Sequence, residues 1–187
     1  MDIVAAALAN PNNRAILERL PRLGLPQGCL VAGCICQSRW NLCSGRPVTE
    51  NIRDYDIFYF DPADLSFEAE DRVIRRLERE MADLGVRLDI KNQARVHLWY
   101  RQRFGVDRRP LGSCAEAIGS FTATATCVGL APGDKGPRLI APYGLADLEA
   151  GLLRLNANCP NPESFLSKAE NLRARWPWLE IVEPEAR

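Results

Sequence analysis

The sequence predicts a single α+β (mixed α/β) domain, a small mixed β-sheet flanked by helices. Three segments carry that prediction. Asp54–Asp61 (DYDIFYFD) has the aromatic and β-branched composition of a strand. Val73, Leu77, Met81 and Leu84, with Ile74 alongside, recur at helical spacing directly after it. Val86–Lys91 (VRLDIK) then alternates apolar and charged residues without a break, as a half-buried strand does. A chain of 187 residues suffices for one domain with a sizeable core. Residues 1–187 are therefore read as one unit, with a core over about 27–150 and a C-terminal helix over about 162–176 packing on it.

The remaining elements follow from local pattern. Met1–Leu8 is apolar but short, and Asp2 stands where a secretory signal carries basic residues, so it is not read as a signal. Ile16, Leu17 and Leu20 share one face of a short helix over Asn13–Leu20. Pro21, Gly24, Pro26 and Gly28 break the chain before a buried strand, Cys29–Gly33. Ile35–Leu42 fits a helix or an irregular crossing. Ser66 suits the cap of the next helix, Glu68, Glu70 and Asp71 suit its positive end, and Gly85 suits the residue just past its end. A helix or turn is expected from Asn92 to Gly105, a helix from Ser113 or Cys114 to Phe121, and a strand over Thr122–Leu130. A short strand at Arg138–Ala141 and helices over Leu145–Leu153 and Pro162–Trp176 complete the chain.

Composition narrows the function classes. Net charge is zero, so no overall field draws the chain to nucleic acid or to an anionic membrane. Arg101, Arg103, Arg108 and Arg109 form a local basic cluster, read first as a solvated loop. No run of about 18 apolar residues exists to span a bilayer. Seven cysteines, an odd number without a secretion signal, indicate reduced thiols in a cytoplasm, and their spacing does not suit a zinc knuckle.

Asp54-Tyr55-Asp56 is the strongest chemical feature. Acid pairs two apart are common by chance, about three in a chain with this many acids. Glu68/Glu70 and Glu78/Glu80 are others, but residues two apart on a helix do not share a face. On a strand they do, and two carboxylates then stand roughly 6–7 Å apart along one side. That arrangement suits hard divalent cations bridged to phosphate oxygens. Val86, Leu88 and Ile90 mark a core face on the later strand, so Arg87, Asp89 and Lys91 face the other way. If the two strands pair, Asp89 joins Asp54 and Asp56 as a third acid and as the base for an attacking hydroxyl, with Lys91 and Arg87 offsetting phosphate charge. Gly33, at a strand end, lets backbone N–H groups approach a phosphate, unless it merely ends the strand.

The stretch DYDIFYFDPADLSFEAED, followed by LDIKNQARVHLWYRQRFG, resembles a bacterial nucleotidyltransferase-like family within the nucleotidyltransferase superfamily. AGCICQSRWN and IAPYGLADL fit it too, so the likeness spans most of Cys29–Leu148. The resemblance implies that Asp54 and Asp56 match the paired metal-binding acids and Asp89 the third, where relatives often carry Glu. Gly33 and Cys34 fall where the superfamily has glycine followed by glycine or serine, and Ser38 lies in the same block. Cys34 departs from that pattern, and a thiol is a poorer phosphate donor than a hydroxyl, which leaves the backbone to do the binding. Lys91, Asn92, Arg95 and His97 are candidate nucleotide or substrate contacts. The plain alternative is a polar network bracing the Asp89 strand, and Trp99 and Tyr100 are read as core before base-stacking platforms. The implied activity is Mg²⁺- or Mn²⁺-dependent transfer of a nucleoside monophosphate from an NTP to a hydroxyl-bearing acceptor that the sequence does not identify. The alternative is a non-catalytic nucleotide-binding or interaction module on the same fold. Nucleic acid is not favoured as the acceptor, and oligomeric state and base preference are not legible.

Overall fold

The computed structural model describes residues 2–182. Among the described residues the α and β elements are α1 (Ile3–Ala9), α2 (Pro11–Arg19), β1 (Cys29–Val31), α3 (Gly33–Cys43), β2 (Tyr55–Tyr59), α4 (Phe67–Glu80), β3 (Leu88–Asn92), α5 (Val96–Phe104), α6 (Cys114–Ile118), β4 (Gly129–Ala131), β5 (Arg138–Ile140), α7 (Ala146–Ala150), β6 (Leu152–Arg154), α8 (Phe165–Arg175) and β7 (Glu180–Val182). Five strands form one sheet in the order β3-β2-β1-β4-β5. Only β2 and β3 run parallel in it, joined by the crossover helix α4, and the other pairs are antiparallel. The sheet is therefore mixed and helix-flanked, as the sequence predicts. No helix among the described residues is long and apolar enough to cross a membrane.

Strand alternation sorts the two faces of the sheet. Leu30, Tyr55, Ile57, Tyr59 and Ile90 enter the main core, beneath α1–α4. Cys29, Val31 and Phe58 point the other way, into a smaller cluster closed by Cys114, Ala117 and Ile118 around α6. That second cluster covers only part of its face. Asp56 and Asp89 lie on the uncovered part, so the cleft exists because the second layer is short.

Local caps explain the helix starts. The Asp2 carboxylate accepts from the Val4 and Ala5 N–H groups, and Asn10 caps α2 ahead of Pro11. The helix α1, unassigned in the sequence, is real: Ile3, Ala6 and Ala7 are buried. Ser66 caps α4 as expected, but Met81 is the last residue of that cap-to-cap span, and Gly85 ends a following 3₁₀ turn instead. Ile35–Leu42 lies wholly within the helix α3.

Two expected elements are corrected. Thr122–Leu130 is not one strand: Thr124–Thr126 forms a 3₁₀ turn and the strand β4 begins at Gly129. The threonines that suggested a strand make local bonds, with Thr126 Oγ1 donating to the Ala123 carbonyl and Thr124 Oγ1 to Asp147. Leu145–Leu153 is helical only to Ala150. Gly151, at φ 74°, turns the chain into β6, which pairs in parallel with β7. A Cβ on Gly151 would stand 2.2 Å from the Trp178 ring. Gly151→Ala is expected to destabilise the fold by about 2–3 kcal/mol, combining left-handed strain with overpacking, measured as a lower urea midpoint at unchanged slope.

The helix α8 folds back onto α3. The Trp176 ring packs 5.5 Å from that of Trp40, and its Nε1 donates to Asn41 at 2.9 Å. This contact sets the place of α8 beside the cleft.

Candidate active site

The register of the parallel pair sets the geometry. Asp56 of β2 lies directly opposite Asp89 of β3, and Val31 of β1 lies opposite Asp56 on its other side. Asp54 precedes β2 by one residue, where the Tyr55 N–H already donates to the Arg87 carbonyl at 2.9 Å. The start of β2 is held from the far face too: the Tyr55 hydroxyl accepts from the Asn10 and Asn12 side-chain amides, at 3.3 and 2.9 Å.

Electrostatics mark Asp56 as the centre. Burial, then the like charges of Asp54 and Asp89, push its carboxyl up to about 7, with Lys91 partly opposing them. Lys91 is salt-bridged to Asp89. Among the described residues no group of three or more His, Cys, Asp or Glu side chains is drawn together as a ready-made metal cage. Asp56 and Asp89 thus share a face, and Asp56 feels the charges of both Asp54 and Asp89, but Asp89 is turned to its own lysine.

A cleft of about 360 Å³ opens over Asp56, Asp89 and Lys91, and Trp99, Phe104 and Arg108 line it too. A second arm, about 220 Å³, runs to Ala32 and Gly33 at the start of α3. Phe121, Thr122 and Lys168 line both arms and so join them. The strand-to-helix junction is tight. Ala32 takes φ 54°, ψ −117°, and its N–H donates to the Val128 carbonyl at 2.9 Å. A Cβ on Gly33 would come within 2.9 Å of the Gln37 amide. Backbone strain of this kind gathers at ligand-binding turns.

The sequence-derived candidates divide. Asp56, Asp89 and Lys91 come together on one sheet face, Asp54 stands one residue before β2 within reach of the Asp56 charge, and Gly33 lines the adjoining arm. The side chains of Cys34, Ser38, Asn92 and Arg95 are engaged within the protein. The Cys34 thiol is buried and donates to the Val31 carbonyl at 3.5 Å. Ser38 accepts from Asn10 and Asn13 and donates to the Cys34 carbonyl. Asn92 clamps Asp61 through both its N–H and its carbonyl. Arg95 is salt-bridged to Glu70 in the interior. Nδ1 of His97 is buried without a partner, and the residue lines neither arm. Tyr100 is buried, as expected, and Trp99 half-buried, and both line the cleft.

Sequence reasoning passed over Lys168, Arg175 and Gln93, and read Arg108 first as part of a solvated loop. Lys168 and Arg175 sit on α8, whose pattern shows a helix but not where it docks. Arg175 donates to Gln37 and to the Asn51 carbonyl, at 3.4 and 3.3 Å. Burial and then Arg53 lower its pKa, while the Asp54 charge raises it, so the guanidinium stands within reach of that carboxylate's field.

The mixed sheet and the glycine turn into a helix are those of a nucleotidyltransferase-type fold. The chain belongs to the nucleotidyltransferase family whose pattern matches residues 18–181. The head domain of a CCA-adding enzyme, determined by NMR, is similar in fold: TM-score 0.77 at 23% identity, covering 97% of this chain and 95% of that one. A CCA-adding enzyme in complex with ATP matches at TM-score 0.60 and 17% identity, over 96% of this chain. The Thermotoga maritima CCA-adding enzyme complexed with tRNA matches at TM-score 0.55 and 17% identity, over 91% of this chain. This chain spans only 43% and 38% of those two larger proteins. No curated protein is significantly similar in sequence.

Proposed function

We propose that the domain transfers a nucleoside monophosphate from an NTP to a hydroxyl-bearing acceptor, with Mg²⁺ or Mn²⁺ held by Asp54, Asp56 and Asp89. The observation that carries this is the Asp56–Asp89 register with Asp54 alongside, whose repulsion helps push the Asp56 carboxyl up to about 7. Oxygen-only donors with mutual repulsion and a single lysine among them fit a hard divalent cation. When bound, such an ion supplies charge neutralisation for the triphosphate and acidifies the attacking hydroxyl.

In this reading the triphosphate lies along the Gly33 arm. Backbone N–H groups at the start of α3 and the Lys168 ammonium meet its negative charge. Because Cys34 turns its thiol inward, the backbone does this work. Asp89 takes the proton of the acceptor hydroxyl once Lys91 has moved to a phosphate oxygen. The acceptor oxygen bonds to the α-phosphorus, the bond from that phosphorus to the β-phosphate oxygen breaks, and pyrophosphate leaves. The similar fold solved with ATP supports an NTP as donor. The expected setting is the cytoplasm, where thiols stay reduced.

The test is thermal unfolding with each common NTP and Mn²⁺ or Mg²⁺. The expected result is a rise of several degrees that needs nucleotide and metal together, as binding to the native state alone requires. No rise with any NTP–metal pair would overturn the reading. The Lys91–Asp89 salt bridge, which occupies the assigned base, favours a second reading, nucleotide binding without transfer. Stabilisation by NTP without pyrophosphate release in the presence of varied hydroxyl acceptors would select it.

A further inference from the structure

The aromatic wall of the cleft is built as a recognition surface. Phe104 of α5 is 43% exposed, and its ring lies 4.6 Å from that of Tyr100 and 6.3 Å from that of Trp99. The Arg108 guanidinium lies 4.9 Å over the Tyr100 ring and donates to the Ser120 hydroxyl. Gln93, at the end of β3, is only 3% exposed and lines the same cleft, yet its side-chain Nε2 has no hydrogen-bond partner. A buried amide donor without an acceptor is costly, and a ligand oxygen or ring nitrogen would relieve it.

The arginine cluster of the sequence resolves here. Arg101 is paired with Asp107 at 3.4 Å and Arg109 with Glu116 at 2.6 Å. Arg108 has no carboxylate salt bridge among the described residues and turns into the cleft. Arg103, 5.9 Å over the Phe104 ring, has no carboxylate salt bridge among the described residues either, but of the four arginines Arg108 is the one that lines the cleft, so a single guanidinium of the cluster is placed there to hold an anionic group. In-line transfer requires the attacking oxygen to approach the α-phosphorus from the side opposite the leaving pyrophosphate. With the triphosphate in the Gly33 arm, that side is the aromatic arm.

We infer that the arm lined by Gln93, Trp99, Phe104 and Arg108 is the acceptor subsite, and that the acceptor is a small nucleotide-like molecule: a flat heteroaromatic ring, one anionic group and a free hydroxyl. The ring stacks on the aromatic wall, the anion meets Arg108, Gln93 donates to a ring acceptor, and the hydroxyl reaches Asp89. This inference rests on the proposed transfer reading for which arm holds the donor.

The test is calorimetry with AMP as probe, with and without Mn²⁺ and the non-hydrolysable α,β-methylene analogue of ATP. Wild-type protein is expected to bind AMP in the presence of saturating analogue, and more tightly than adenosine or ribose 5-phosphate. Trp99→Leu, which keeps an apolar volume in the wall, and Arg108→Met should each weaken AMP at least about tenfold, the scale of one stacked base, with analogue affinity unchanged. Gln93→Met should do the same while altering the preference among AMP, GMP, CMP and UMP. The inference is overturned by AMP that competes with the analogue, by variants that leave AMP affinity intact, or by a decanucleotide that binds more than tenfold tighter than AMP. If AMP binds and responds to these variants while the analogue does not bind at all, the arm stands and the transfer reading falls.

Discussion

Asp56→Asn is expected to abolish nucleotide transfer while making the metal-free protein more stable above neutral pH. The loss of activity should be on the order of a thousandfold or more, because the central charge that would hold the cation is gone. The gain in stability follows from linkage. The folded-state carboxyl sits at about 7, well above the unfolded value of about 3.9. Below pH 4 the group is protonated in both states and has no effect. Between pH 4 and 7 the unfolded chain releases its proton first, so folding loses stability as pH rises, and the loss is complete above 7. The gap between the folded and unfolded values sets a ceiling of about 4 kcal/mol on that loss. An asparagine carries no charge to desolvate, so the variant should unfold at a higher temperature than wild type at pH 8 and at the same temperature near pH 4. Divalent cation should raise the melting temperature of wild type at pH 8 and leave the variant unmoved. A variant that loses stability at pH 8 would mean that Asp56 is held by the fold and not strained by it.

The contrast between activity and stability bears on how much was legible in the sequence. Period-two alternation in Val86–Lys91 and the composition of Asp54–Asp61 located both acid-bearing strands, because burial on one face forces such patterns. The register that sets Asp56 against Asp89 was not legible, since it depends on how α4 carries the chain back parallel to β2. Nor were the long-range partners. Lys168 reaches the cleft because α8 docks through Phe165, Ala169 and Trp176, the last packing against Trp40 across more than a hundred residues of chain. The polar block after Asp89 was legible as important, with ligand contact and a bracing polar network both open to it. Asn92 and Arg95 bond backbone groups and Glu70 in the interior, and nothing in their spacing separates that from ligand binding.

Arg95→Met should therefore cost stability on a scale few surface changes approach. Arg95 is 8% exposed, is salt-bridged to Glu70 through one terminal nitrogen, and donates through Nε to the Leu65 carbonyl at 3.1 Å. Glu70 also accepts from the Asn92 N–H at 2.8 Å, and Asn92 in turn clamps Asp61. One buried carboxylate thus ties the first turn of α4 to the ends of β2 and β3. Methionine fills much of the arginine's apolar volume but leaves that carboxylate without its counter-charge, which costs about 3–5 kcal/mol when a buried pair is broken from one side. Glu70→Gln in the same chain should recover most of the loss, because a neutral amide still accepts from Asn92 and no longer needs a cation. Urea unfolding of the two single variants and the double variant measures the coupling. A purely additive outcome would show that the pair does not act as one unit. The readout extends to the cleft, because Gln93 follows Asn92 directly: loosening the end of β3 should weaken AMP in the aromatic arm while sparing the metal-dependent response at Asp56, which lies three residues back along the sheet from the clamp.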